Sequence, residues 1–179
     1  MIDDRILPLD SSLVLVSCEG GFENTVLGML LKHDLLVFDK ENVIGITSTR
    51  SAWQIELKYL GFDYGDKTLS IVRILDSRNE TFRLGSLYRD RFPVFDICTC
   101  PEIEILSVIK EEAWDEYAKV SSRMKPSEFC AQKLKLHRIK SPDFLMDYWD
   151  IETLVNCILT YQRLHNFKRN ELSFAHLLR

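Results

Sequence analysis

The sequence predicts an α/β fold: a mostly parallel sheet of about four strands with helices on both faces, followed by a helical C-terminal extension. Short apolar runs alternate with helically periodic segments through successive rounds, which implies right-handed crossovers. The runs Leu13–Val16, Val43–Thr47, Ser70–Leu75 and Pro93–Cys98 are largely apolar, as expected for strands covered on both faces. After Trp114 only helical patterns remain, dividing the chain into an α/β part, 1–113, and a helical extension, 114–179, packed on it.

Taken in order, residues 1–11 are a polar lead-in, with Pro8 and Asp10-Ser11-Ser12 as turn signals. The first strand spans 13–17. Phe22, Val26, Leu27, Leu30 and Leu31 recur at helical spacing and predict a helix over 22–33. Leu35 to Phe38 is compatible with the end of that helix or with a short edge strand. A second strand over 43–47 leads to a helix over 51–60 that Gly61 caps. Phe62 to Asp66 is a turn, 70–75 the third strand, Leu84 to Arg91 a short helix and 93–98 the fourth strand. Pro101 opens a helix through Lys110, a first-turn position that suits proline. Helices follow over 127–138, 142–165 and 171–178. The longest has a broad apolar face, including Phe144, Tyr148, Ile151, Val155 and Ile158, that packs on the sheet or on another chain, as in a homo-oligomer.

With 179 residues, 46% hydrophobic and 28% charged, the chain is long enough for one substantial core. No apolar stretch is long enough to span a bilayer, and the opening Met-Ile-Asp-Asp-Arg lacks the order of a signal peptide, so the expectation is a cytoplasmic protein with no membrane partner. The five cysteines are irregularly spaced, with Cys98 and Cys100 as C-x-C, which points away from zinc and toward reduced, buried thiols. A net charge of −4 argues against a free-standing DNA-coating protein, but not against an enzyme that meets nucleic acid through metal ions.

The first strand ends in Cys18-Glu19-Gly20-Gly21-Phe22-Glu23. Open α/β sheets bind ligands at the carboxyl ends of their strands. The glycines allow a sharp turn and close backbone approach, but neither G-x-G-x-x-G nor a P-loop is present. An acid at such a turn repels phosphate unless a cation intervenes, so the functional reading is a divalent metal. The structural reading is an acid complementing the helix dipole. Asp76 follows the third strand, and Glu102 or Glu104 the fourth. These two are too close in sequence to share a helical face, so only one is expected to point into a site. Carboxylates about 4 Å apart repel by roughly 4 kcal/mol at an effective dielectric near 20, so several at one rim need a neutraliser. Mg²⁺ or Mn²⁺ would serve, activating a water at a phosphoryl centre.

In order and spacing these motifs resemble TOPRIM domains as found in OLD-family and RloB-like nucleases. The Cys18–Glu23 turn is similar to the family's opening E-G-x-x-E motif. Ile71–Asp76 is similar to the strand carrying D-x-D, and Thr99–Leu106 resembles the proline-led acidic helix start of RloB-like members. The resemblance covers residues 13–110. It implies metal-dependent phosphodiester cleavage of DNA or RNA, often in phage or plasmid defence. Glu19 and Asp76 would be catalytic, with Glu19, Glu23, Asp76 and Glu104 around the metal. Arg78 stands where the second Asp of D-x-D belongs, where it would more naturally hold a phosphate. That departure opens the alternative of a non-catalytic interaction subunit. OLD-family members also carry an ATPase; no nucleotide-binding motif exists here, so such a partner would be a separate chain.

Lys133, Lys135 and Arg138, with His137 and Lys140, form a basic cluster, read as a nucleic-acid contact or as a solvated helix face. Cys18 reads as a strand-end packing residue with a raised pKa, not as a nucleophile. Trp114, Tyr148 and Trp149 read as packing residues.

Overall fold

The computed structural model describes residues 7–18 and 20–179. Strands β1 (Leu13–Ser17), β2 (Val43–Thr47), β3 (Leu69–Leu75) and β4 (Val94–Cys98) form one sheet in the order β2-β1-β3-β4. Every pairing is parallel, with Leu15 opposite Ile71 and Arg73 opposite Asp96. Parallel neighbours need long crossovers, so both faces become covered. Val14, Val16, Val72 and Ile74 face the larger core, while Leu15, Leu69 and Ile71 face the smaller one. This parity explains the continuous apolar runs.

The described residues contain seven α-helices. Helix α1 (Gly21–Lys32) buries Phe22, Val26, Leu27 and Leu30 against the larger core and stops at His33, after which Asp34 turns left-handed with φ 54°. Helix α2 (Ala52–Ile55) widens into a π-helical turn over Glu56–Leu60 and covers the smaller core through Ile55 and Leu60. Helices α3 (Ile105–Lys110), α4 (Trp114–Ala118), α5 (Pro126–Gln132), α6 (Pro142–Tyr148) and α7 (Ile151–Leu164) lie on the opposite face. Phe129 of α5 and Leu154 and Ile158 of α7 belong to the same buried cluster as Val14 and Val72, so the extension and the sheet share a core.

Several sequence expectations are corrected. Leu84–Arg91 forms successive turns, with the Gly85 carbonyl accepting from the backbone of Tyr88 and Arg89. The helix expected from Pro101 begins at Ile105, after a turn that follows a cis Cys100–Pro101 bond. The helix expected over 127–138 ends at Gln132, and Lys135 takes φ 60°. The single helix expected over 142–165 is broken: Trp149 is extended and buried, and Asp150 starts α7 by accepting from Thr153 N at 2.8 Å. That break lets Trp149 reach Phe22 edge-on at 6.5 Å. Leu35–Phe38 pairs with the chain end, Leu36 bridging Leu178 and Val37 donating to Leu177. Among the described residues no helix is long and apolar enough to cross a membrane.

One strand residue breaks the apolar rule. Arg73, 1% exposed, lies in the middle of the sheet. Its guanidinium donates to Asp96 and to Glu80, each at 2.9 Å, and lies 4.2 Å above the Phe82 ring. Removing the guanidinium loses two charge-assisted hydrogen bonds, while Asp96, half exposed, stays hydrated and Glu80 keeps Arg50. Arg73→Leu is therefore expected to lower stability by about 2 kcal/mol, read from urea midpoints at constant m-value. A loss below about 1 kcal/mol would refute this structural role.

Candidate functional site

The C-terminal rim of the sheet holds a polar cleft of about 230 Å³. Its acids come from three places in the chain. Glu23 sits in the first turn of α1, Asp76 directly follows β3, and Glu102 and Glu104 lie in the turn before α3. Two cations join them: Arg50, just beyond β2, and Lys140, just before α6. Parallel strands all end on the same side, which is why acids far apart in sequence converge here.

The cations are engaged with the acids. Lys140 Nζ lies 3.1 Å from Glu104, whose side chain is 5% exposed. Arg50 lies 3.6 Å from Asp76 and 3.0 Å from Glu80. Glu102 accepts from Ser127 N at 3.1 Å, anchoring the start of α5, and pairs with Lys125 at 3.7 Å. The cleft still carries more negative than positive side chains. Burial, with the charges of Glu104 and Asp76 added, raises the Glu23 pKa above the usual carboxylate value despite opposing backbone hydrogen bonding and Lys140. Lys140 is affected in the complementary way: burial lowers its pKa, but Glu104 and the other acids outweigh this and raise it. Burial, then the Glu23 charge, pushes the Cys18 thiol up to about 12, which fits a packing role.

The two glycines do not serve backbone conformation. Gly20 has φ −80°, and Gly21 is already helical. What they supply is room. A β-carbon on Gly20 would collide with the Glu23 carboxylate, which folds back over it. One on Gly21 would lie 3.0 Å from the Lys140 carbonyl oxygen. Gly-Gly thus lets the Glu23 carboxylate and the segment bearing Lys140 close on the β1–α1 turn.

Of the residues expected to form a site, Glu23, Asp76 and Glu104 come together in the cleft, and Glu19 lies outside the described residues. Glu102 lines the cleft as well as Glu104. The expectation that only one of the two faces a site assumed helical spacing, and both residues precede the helix. Arg78 is elsewhere. It pairs with Glu171 at 2.6 Å, with a second contact at 3.1 Å, and touches His165 Nε2 at 3.1 Å. Lys133, Lys135 and Arg138 are exposed and do not line the cleft. Arg50 and Lys140 are the cations that sequence reasoning did not assign there. Arg50 lies just past a strand end, the same signal that marked Asp76. Cys98 and Cys100 are joined in a disulfide, contrary to the expectation of reduced thiols, while Cys18, Cys130 and Cys157 are free and buried.

The donor set consists of hard carboxylate oxygens, which match Mg²⁺ or Mn²⁺. The lining carries four acids against two cations, and the raised Glu23 pKa reflects first its burial and then its acidic neighbours. Among the described residues, no three His, Cys, Asp or Glu side chains form a metal-holding group. No protein-family model, curated protein or solved structure matches the chain.

Glu23 supplies a pH test. Its folded-state pKa is raised, so its ionised form costs stability above that pKa, and the cost vanishes as pH falls below the ordinary value of 4.5. Glu23→Gln is therefore expected to raise the melting temperature at neutral pH and to leave it unchanged in acid below that value. An unchanged or lower melting temperature at neutral pH would contradict the burial of the Glu23 carboxylate among acids described above.

Proposed function

We propose that this chain is a divalent-metal-dependent nuclease acting on phosphodiester bonds of DNA or RNA. The observation that carries the reading is the meeting of Glu23, Asp76, Glu102 and Glu104 with Arg50 and Lys140 in one cleft at the C-terminal rim. The TOPRIM-like order of these acids along the sequence adds support, and with it a role in phage or plasmid defence, alongside a separate ATPase chain.

Glu23 and Asp76, with Glu19, would hold Mg²⁺ or Mn²⁺. The ion would supply Lewis-acid stabilisation of a phosphoryl oxygen and a more acidic water. The chain's own residues do the rest. Lys140, keeping Glu104, would offer its further N–H donors to the substrate's non-bridging oxygens, and Arg50, which meets two acids, would exchange one of them for phosphate. Glu104, buried and paired, holds the Lys140 ammonium toward the cleft.

The test is cleavage of labelled single-stranded and duplex DNA and RNA with Mg²⁺ or Mn²⁺. Activity is expected to fall by about 100-fold or more in Asp76→Asn and Glu19→Ala proteins that melt like the wild type, and by a comparable factor in Lys140→Ala. Absence of cleavage with either ion, together with a melting temperature that neither ion shifts, would overturn the reading.

A second reading, a non-catalytic interaction subunit, draws on the pairing of Asp76 with Arg50 and of Glu104 with Lys140, which compensates much of the cleft charge internally. It predicts that a stable partner complex or oligomer survives Asp76→Asn unchanged.

A further inference from the structure

A second cavity, of about 420 Å³, opens beside the acidic cleft. Two chain segments separate them, and each segment faces both ways. Asp76 lines the cleft and Arg78 the cavity. Glu102 and Glu104 line the cleft, while Pro101 and Ile105 line the cavity. The two openings therefore stand next to each other along the ends of β3 and β4.

Their chemistry differs sharply. The cavity lining is aromatic: the partly exposed Trp114 and His165 rings, with the buried Tyr117 and Tyr161 behind the surface, Trp114 and Tyr161 edge-to-face at 6.4 Å. Its volume falls in the range of small-molecule pockets, roughly 300–1,000 Å³. Arg78 stands in its wall with its charge already matched by Glu171 in a two-point pair. A guanidinium so neutralised makes a poor phosphate clamp but keeps its flat face for stacking. Burial first, and then the Arg78 charge, lowers the His165 pKa against the pull of Glu171, and this favours the neutral ring. The cavity thus offers flat, weakly charged surfaces, while its neighbour offers cations and carboxylates. Ala118, Ser121, Leu164 and Asn166 at its mouth are exposed, so the cavity is reachable from solvent.

We infer that this aromatic cavity receives an unpaired nucleobase of the strand whose phosphate lies in the neighbouring cleft, which makes single-stranded nucleic acid the preferred substrate. The inference rests on the phosphodiester reading above. Every base has a π-face, so aromatic walls hold it without reading sequence. A base within a duplex is already stacked and paired and cannot enter without being extruded.

The test measures binding without chemistry. A fluorescein-labelled mixed-sequence DNA strand and the same strand annealed to its complement are titrated with the full chain in Ca²⁺, a hard cation for the carboxylates, in place of Mg²⁺ or Mn²⁺. Ala118→Leu fills the mouth from an exposed position without adding charge or a ring; Trp114→Leu removes one wall. The single strand is expected to bind at least about tenfold more tightly than the duplex, and both variants to lose that difference while the duplex affinity stays put. Equal affinity for the two forms, or an Ala118→Leu protein that melts and binds the strand like the wild type, would overturn the inference. Should Trp114→Leu fail to fold, Ala118→Leu decides alone. Strand-selective binding that responds to these variants, found together with no cleavage in the metal assay, would count against the nuclease reading and leave the base pocket standing.

Discussion

Alternating charge ties the rim of this protein together. Asp96 on β4 meets Arg73 on β3, Arg73 meets Glu80, Glu80 meets Arg50 beyond β2, and Arg50 meets Asp76, at 2.9, 2.9, 3.0 and 3.6 Å. The chain of contacts centres on a guanidinium that is 1% exposed and runs outward from it to half-exposed carboxylates at both ends, Asp96 and, at the mouth of the cleft, Asp76. It spans the width of the sheet from one edge strand to the loop following the other. Buried ions demand partners, and here the demand is passed outward, link by link, until water can share it. The position of Asp76 is thereby coupled to the packing of β3 and β4, and Arg50 is oriented by two acids at once.

Much of the fold was legible in the sequence because it is written in local patterns. The strands fall within about one residue of their expected bounds, since continuous apolar runs flanked by polar turns have few other uses. The break between α6 and α7 was also written there, in Asp150, a residue type favoured at helix N-caps, but the unbroken apolar periodicity outweighed it. The helix expected at 84–91 failed for a tertiary reason: Leu84 is buried, Leu87 is exposed, and Gly85 N donates to Glu56 Oε1 at 2.6 Å, so the segment follows α2 instead of its own propensity.

The site was half legible. Acids at strand ends could be placed because topology alone carries them to one rim. The cations could not. Lys140 lies 36 residues beyond Glu104 in a segment read as a solvated basic run, and only the return of that segment across the β1–α1 turn brings its ammonium to the cleft. Arg78 shows the opposite error. Its sequence position two residues from Asp76 suggested a shared site, yet β3 has ended and the chain turns at Arg78–Asn79, and Glu171, 93 residues away, claims its side chain.

Tyr161 has a consequence of its own. Its hydroxyl donates to the Cys100 carbonyl oxygen, and its ring is wedged against Trp114, His165 and Phe167. It therefore clamps the last turn of α7 to the turn that presents Glu102 and Glu104. In a close-packed interior such a clamp leaves little slack. Helix and turn are thereby held in register, so the outer surface of α7 and the carboxylates of the cleft are two ends of one packed body.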